Sequence, residues 1–205
     1  LAGALAWATP GDLATGREAP GPLWAFPRPL WASMLAAALL GMGFAAFFQF
    51  APILAARRPV LDAGWLYAVY GIGIIATRFG GGGLVDRWGP APTLAVTATL
   101  MAAGLALFAV ALTPAALVVA TLLLAGSGLF HPALLAHIAT LLPQAPGRAS
   151  AAFYVGFDLG IGIGSWLLGA LLQLAGLAGL YAAAAVAALL VLPLVPTIAR
   201  QRSPR

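Results

Sequence analysis

Residues Arg78 to Leu94 read R-F-G-G-G-G-L-V-D-R-W-G-P-A-P-T-L, and they separate two apolar runs that are each long enough to cross a bilayer. Five of the seventeen residues are glycine, which predicts a tight hairpin between two helix ends. Asp86 can accept hydrogen bonds from helix N-terminal amides, and the two arginines can reach lipid headgroups or pair with Asp86. Because short cytoplasmic loops carry an excess of basic residues, the hairpin is predicted to lie on the cytoplasmic face.

The composition indicates an integral membrane protein. Of the 205 residues, 62% are hydrophobic and only 7% are charged, and the mean hydropathy is +1.01. A soluble domain is about half apolar and about a quarter charged. All ten basic residues are arginine, and the net charge is +5. With so little polar surface, a nucleic-acid partner is not expected, and the arginines instead indicate orientation in the lipid bilayer and contact with anionic lipid.

Proline and charge divide the chain into a linker, a membrane domain and a tail. Residues 1–29 are predicted to hold the end of a preceding helix and a central cytoplasmic linker, and the start at Leu1 inside an apolar run indicates a fragment. Residues 30–199 form the membrane domain, and residues 200–205 form a basic cytoplasmic tail. We predict an all-α polytopic protein with six transmembrane helices, at about 30–56, 64–80, 92–112, 115–142, 149–174 and 180–199.

The arginines test this assignment. Threading six helices alternately through a bilayer leaves only Arg57 and Arg58 on one side. The other side collects the remaining eight, which are Arg17, Arg28, Arg78, Arg87, Arg148, Arg200, Arg202 and Arg205. This bias predicts that both chain ends are cytoplasmic. The first and last three helices then have opposite topology, which predicts a 3+3 inverted repeat, although the two triplets share no clear sequence identity.

The hairpin also carries a family pattern. The residues that match G-x-L-x-D-R-x-G-x-x-x-x-L are Gly82, Leu84, Asp86, Arg87, Gly89 and Leu94. This pattern resembles the signature of the major facilitator superfamily (MFS), which lies between the second and third helices of each six-helix half. Pro90 and Ala91 stand where the family usually has basic residues, as in the less complete second-half copy. The segment after Arg148 also resembles the eleventh helix of bacterial efflux members.

The resemblance implies the C-terminal half of an MFS transporter in a bacterial cytoplasmic (inner) membrane. Such a protein would export a small molecule by alternating access, coupled to protons, together with a missing N-terminal six-helix half. The residues implied in gating the cytoplasmic side are Arg78, Gly82, Asp86, Arg87 and Gly89. An isolated membrane half with only a structural or assembly role is the alternative. The substrate, the direction of transport and the coupling ion stay open at this point.

Asp158 is the only carboxylate well inside a predicted apolar helix. An ionised aspartate at the bilayer centre costs about 2.5–3.5 kcal/mol, so it requires a partner, a watery cavity or a proton. Asp158 is therefore a candidate proton-coupling residue. The alternative is a structural aspartate that accepts hydrogen bonds from a neighbouring helix.

The helix around Asp158 has two further faces. Gly156, Gly160 and Gly164 form a stripe of small residues, roughly opposite Asp158, that is suited to close helix packing. A bulkier third face is predicted to meet lipid, and it consists of Phe153, Phe157, Ile161 and Leu168.

Two other polar positions lie inside predicted helices. His131 precedes Pro132, which predicts a kink like those of the broken helices that line transporter sites. His131 is thus a candidate cavity residue, although a packed, hydrogen-bonded histidine is an alternative, and its spacing from His137 predicts no shared metal. Gln49 and Phe48 lie in an aromatic stretch that suits flat or cationic substrates. Gln49 could instead join two helices by a hydrogen bond.

An intramembrane serine protease is a remote alternative, because Ser127 lies in Gly126-Ser127-Gly128, four residues before His131. A serine and a histidine on one helix are poorly placed to meet, and no oxyanion-hole donor is apparent. We therefore predict that the chain is not an enzyme. No motif indicates a metal, a nucleotide or a covalent cofactor.

Overall fold

The computed structural model describes residues 26–57 and 62–201, and the regular elements in these ranges are all helical. Three-residue 3-10 turns lie before α1, between α4 and α5, and before α7. The helices are α1 (Trp31–Arg57), α2 (Ala63–Trp88), α3 (Pro90–Val110), α4 (Pro114–Gly126), α5 (Phe130–Leu141), α6 (Pro146–Leu189) and α7 (Val195–Arg200). Most of the predicted linker, together with Arg58 and the last four residues, lies outside the described residues.

The helices account for six membrane crossings. Four stretches are long and apolar enough to cross a membrane, namely Arg28–Arg57, Pro90–Val110, Pro114–Leu141 and Pro146–Arg200. The last has 55 residues, or ~80 Å of helix, which suffices to cross a hydrocarbon core of ~30 Å twice. The remaining crossing is α2, which has 26 residues but is less apolar because it carries Arg78. The predicted fold class, an all-α polytopic membrane protein with six helices, is confirmed.

The glycine-rich stretch is helical rather than a loop. The prediction that this helix ends near Gly80 was wrong, because α2 continues to Trp88. Gly89 alone connects α2 to α3, with φ 78° and ψ 173°, a combination that essentially only glycine adopts. Four consecutive helical glycines cost about 1 kcal/mol each relative to alanine. The helix nevertheless persists, because it pairs backbone amides and carbonyls internally, whereas a loop in lipid leaves them unpaired.

α6 is broken in the same way. Gly176 has φ 67° and ψ −168°, while the residues on both sides are helical. The predicted turn over residues 176–179 therefore also shrinks to a single glycine. The sixth crossing begins at Leu177 and is not one continuous helix, because a 3-10 turn (Leu192–Leu194) interrupts it before α7.

The two single-glycine connections hold equivalent places in the two triplets. Gly89 joins the second crossing to the third, and Gly176 joins the fifth to the sixth. They lie at opposite ends of the bundle, because α6 starts near the Gly89 end and runs 30 residues before Gly176. The same connection at opposite ends is what an inverted repeat requires.

Several chain segments meet at one end of the bundle. The Gln201 side-chain amide donates a hydrogen bond to the Pro29 carbonyl (2.7 Å), and its Oε1 atom lies 3.4 Å from His137 Nε2. The adjoining cleft is also lined by the α2–α3 connection. We call this end the basic end, because it carries four of the six described arginines, namely Arg28, Arg87, Arg148 and Arg200.

Candidate functional site

A glycine seam between α1 and α6 sets the orientation of α6. A Cβ atom added at Gly156 would lie 2.5 Å from the Met34 carbonyl oxygen, and one at Gly160 would clash with the Ala38 carbonyl oxygen. Gly164 packs against α1 in the same way. Asp158 lies two residues from both Gly156 and Gly160, which is about 200° around the helix. The seam therefore turns Asp158 to the opposite side of α6.

Asp158 is exposed on that opposite side. Within the described part of the chain, its carboxylate has no hydrogen-bond or ion-pair partner. Its surroundings form a shallow, otherwise apolar depression lined by Val155, Leu159, Gly162 and Ile163. The structural alternative, a hydrogen bond from a neighbouring helix, is not present among these residues.

The face of α6 that was predicted to meet lipid instead belongs to the core. Phe153 and Leu168 are fully buried, and Phe157 and Ile161 are partly buried. The exposed face carries Leu159, Ile163 and Trp166 instead. Periodicity separates the faces of a helix but does not show which of them meets a neighbour, and here the glycine seam decides it.

A row of polar side chains crosses three helices on the exposed side. Tyr154 lies four residues before Asp158, hence on the same face of α6, and is 45% exposed. Its ring centroid is 5.9 Å from that of His131 on α5. His131 and Arg78 of α2 line one cleft of about 440 Å³. We call Arg78, His131, Tyr154 and Asp158 the polar row.

The members of the polar row lie at a similar depth. Arg78 and His131 are each ten residues from the basic end of their helix, at Trp88 and Leu141 respectively, or ~15 Å along the axis. Asp158 is twelve residues from the start of α6, or ~18 Å. If the basic ends of these helices lie at the edge of a hydrocarbon core ~30 Å thick, these positions are near mid-depth. Arg78 therefore lies within α2 and not in a hairpin loop, because α2 continues past Gly80 to Trp88.

Sequence reasoning missed Tyr154 as a site residue. The available signal was its position one helical turn before Asp158, which places both side chains on one face. The sequence marks Arg78 by its place in the glycine-rich stretch and does not show its depth along α2. That depth depends on the continuation of α2 through four glycines, against their intrinsic preference.

The structure breaks the helix close to His131, where the sequence predicts a kink. A 3-10 turn (Ser127–Leu129) separates α4 from α5, and Pro132 has no amide hydrogen with which to continue the hydrogen-bond ladder. The Ser127 hydroxyl is buried and donates to the Leu124 carbonyl at 2.6 Å. His131 packs against Phe153, with ring centroids 4.6 Å apart. The Ser127 hydroxyl therefore does not donate to the His131 imidazole, as a serine protease would require.

Gln49 and Phe48 lie apart from the polar row. Gln49 is exposed on α1, eighteen residues from its start at the basic end, or ~27 Å along the axis. Phe48 is partly buried, and its carbonyl accepts a hydrogen bond of 2.7 Å from the Tyr67 hydroxyl of α2. Gln49 and His131 therefore lie at different heights, ~12 Å apart along the bundle axis.

Aromatic rings nevertheless connect Phe48 to His131. Successive ring centroids along this path are between 4.2 and 5.8 Å apart, which is within the range of favourable aromatic packing. The path runs from Phe48 through Phe44, Phe157 and Phe153 to His131. These packed rings extend from the part of α1 that is far from the basic end to the polar row.

The remaining signature residues lie near the end of α2. Asp86 and Arg87 are exposed in its last turn, Gly89 is the connection, and Gly82 lies within the helix. No side chain caps the start of α3. The expectation that Asp86 accepts hydrogen bonds from these helix-terminal amides was therefore wrong within this chain, because α2 and α3 are separated by only one residue.

A known protein family matches almost the whole helical bundle. A family described as the Major Facilitator Superfamily matches residues 33–205, which is 173 of the 205 residues. No curated protein sequence matches the chain. The match includes all six crossings, the signature and the polar row. Members of this family carry small molecules across lipid bilayers and are not enzymes. The chain belongs to the major facilitator superfamily.

Proposed function

We propose that this chain forms one half of a proton-coupled exporter that works by alternating access in a bacterial cytoplasmic membrane. One observation carries the proposal: the exposed Asp158 carboxylate lies near mid-depth on a helix face that no other described part of the chain covers. Facing lipid, the ionised side chain would cost about 2.5–3.5 kcal/mol. A watery cavity closed by a second six-helix half removes most of that cost.

The second half would face the polar row. Arg78, Tyr154 and Asp158 are exposed on α2 and α6, and three polar side chains at this depth suit a central cavity better than lipid. Rocking of the two halves would open that cavity to each side of the membrane in turn. A purely structural half, the alternative function, needs no polar groups at this position.

Asp158 would carry the coupling proton. As the two halves rock, a carboxylate without a fixed partner would be accessible first from one side of the membrane and then from the other. Proton transfer can then accompany each change of access. Asp62, in contrast, accepts a hydrogen bond from the Gly64 amide at the start of α2, so it serves as a helix cap.

This assignment is tested by proton flux in liposomes that contain the full protein. Gradients of sugars, amino acids, carboxylates and aromatic amines are imposed one at a time, and a trapped pH-sensitive dye reports proton movement. We expect at least one solute to drive proton flux in the wild type and none to do so in Asp158→Asn. The matched control is Asp62→Asn, which removes the same charge and keeps a good N-cap. Full proton flux in Asp158→Asn would contradict the coupling role.

The basic end would face the cytoplasm. Four described arginines lie there, against Arg57 at the opposite end, in accord with the positive-inside tendency. The chain contains no cysteine, so single cysteines at exposed positions give clean accessibility data. We expect Trp88→Cys to react with an impermeant maleimide only from the cytoplasmic side, and Leu112→Cys only from outside. The reverse pattern would invert the topology and remove the proposed cytoplasmic gate.

The last turn of α2 would form that gate. Asp86 and Arg87 are exposed there, and Asp86 has no hydrogen-bond partner within the described part of the chain. It is therefore available to helix ends of the second half, where a carboxylate is favourable. In Asp86→Asn we expect the Trp88→Cys position to react faster, because the cytoplasmic side stays open longer. An unchanged labelling rate would leave Asp86 as a solvated residue at a helix end.

A further inference from the structure

Among the arginines that the structure describes, Arg78 lies farthest from the ends of its helix. It is exposed on α2, ~15 Å from the end of that helix, and has no ion pair with any described carboxylate. His131 lies on the neighbouring helix α5. Both side chains line the cleft of about 440 Å³ between α2 and α5, whose other walls are mostly apolar.

We propose that this cleft binds the carboxylate group of the transported molecule, with Arg78 as its main ligand and His131 as a second donor. A guanidinium presents paired N–H groups that match the two oxygens of a carboxylate, and the charge-assisted bonds are about twice as strong as neutral ones. The single ring N–H of a neutral His131 supplies a further donor. The inference rests on the proposed transport function and specifies its substrate class.

The surroundings of His131 indicate the body of that molecule. Its ring lies 4.6 Å from Phe153, 5.9 Å from Tyr154 and 6.3 Å from Phe130, measured between ring centroids. Phe153 and Phe130 are buried and support the imidazole from behind, whereas Tyr154 is exposed. A flat aromatic group can pack against the accessible sides of Tyr154 and His131 in offset or edge-to-face geometry. The site is therefore suited to an aromatic carboxylate, with its anionic end towards α2.

Asp86 determines which end of the cleft receives the anion. It lines the same cleft, eight residues beyond Arg78, or ~12 Å nearer the basic end. Its negative charge disfavours an anion at that end and leaves the deeper part, beside Arg78, as the favourable position. This depth also argues against a lipid headgroup as the ligand, because headgroups lie outside the hydrocarbon core.

The test is equilibrium binding of radiolabelled benzoate to the full protein in phosphatidylcholine nanodiscs, with benzamide as the neutral competitor of the same shape. We expect benzoate to bind at least tenfold more tightly than benzamide. Arg78→Gln should abolish this preference, and Arg78→Lys should retain part of it. The control is Arg57→Gln, which removes the same charge at the other end of the bundle and should keep the full preference. Unfolding temperatures identify any variant that is misfolded.

Three outcomes would overturn the proposal. These are equal binding of benzoate and benzamide by the wild type, an unchanged preference in correctly folded Arg78→Gln, and displacement of benzoate when phosphatidylglycerol is added to the nanodiscs. The last result would make a lipid headgroup the ligand. Binding at equilibrium needs neither proton flux nor movement of the two halves. Failure of this test therefore leaves the transport proposal standing, and failure of the flux assay leaves the binding result standing.

Discussion

Replacing Gly156 with alanine inserts a methyl group into the α1–α6 seam. The new Cβ atom would lie 2.5 Å from the Met34 carbonyl oxygen and 3.0 Å from its Cα atom, whereas ordinary van der Waals contact begins near 3.4 Å. The clash is with backbone, so no side chain can rotate away from it. α1 and α6 must instead separate locally by about 0.9 Å, which is the difference between 3.4 and 2.5 Å.

The expected change in stability follows from two opposing effects. Forcing extra atoms into a packed interface costs about 1–3 kcal/mol, whereas alanine is favoured over glycine inside a helix by about 1 kcal/mol. Gly156→Ala should therefore lower the free energy of unfolding by about 0–2 kcal/mol. Gly162→Ala is the matched control, because it lies on the same helix with nothing within 4 Å of its added Cβ. It should gain the helix preference alone, about 1 kcal/mol.

The measurement is reversible unfolding in mixed detergent micelles, followed by circular dichroism. The difference between the two variants removes the shared helix preference and isolates the packing cost, expected to be about 1–3 kcal/mol. If Gly156→Ala were as stable as Gly162→Ala, the close approach of α1 and α6 would be refuted. The orientation argued for Asp158 would then be refuted as well.

Three further variants test other parts of the fold in the same unfolding assay. Gly89→Ala should lower the free energy of unfolding by about 1–3 kcal/mol, because the backbone conformation at this position is essentially restricted to glycine. Gly83→Ala, at a helical position with nothing near the added Cβ atom, should raise it by about 1 kcal/mol. Equal effects of the two variants would disprove the single-residue connection. Gln201→Ala should lose about 0.5–1.5 kcal/mol with its hydrogen bond to Pro29, in the 3-10 turn before α1. No loss would mean that this contact does not hold the basic end together. Tyr67→Phe keeps the ring but removes the hydroxyl that donates a hydrogen bond to α1, so we expect a loss near 0.6 kcal/mol in the free energy of unfolding. A loss above 2 kcal/mol would indicate a further partner of that hydroxyl.

Many features of this protein could be predicted from local patterns. The long uncharged runs require a membrane, and the prolines and glycines mark the approximate ends of the crossings. The signature that ends at Leu94 indicated the family, and the family match confirms it. The helix ends were less predictable. Turn-forming glycines at positions 80–83 remain helical, because the requirement to pair backbone groups in lipid exceeds their intrinsic preference.

The candidate site was harder to predict from the sequence, because its geometry depends on how the helices pack. The sequence marked Asp158 and His131 as polar residues in apolar helices, since a charge or an imidazole in such a run is costly without a function. It did not show that Arg78 lies at the same depth, which follows only when α2 is seen to reach Trp88. Nor did it separate Gln49 from His131, which are on different helices and at different heights.

The amino-acid sequence by itself determined the membrane class, the number of crossings, the family and the residues that are costly to bury. Each of these depends on composition or on spacing along a single segment. Only the tertiary structure decided which face of α6 is covered and which is open. Helical periodicity sorts side chains into faces, but the face that meets a neighbour is set by how closely two backbones can approach. At Gly156 and Gly160 that approach leaves no room for a side chain, so Asp158 is turned to the open side.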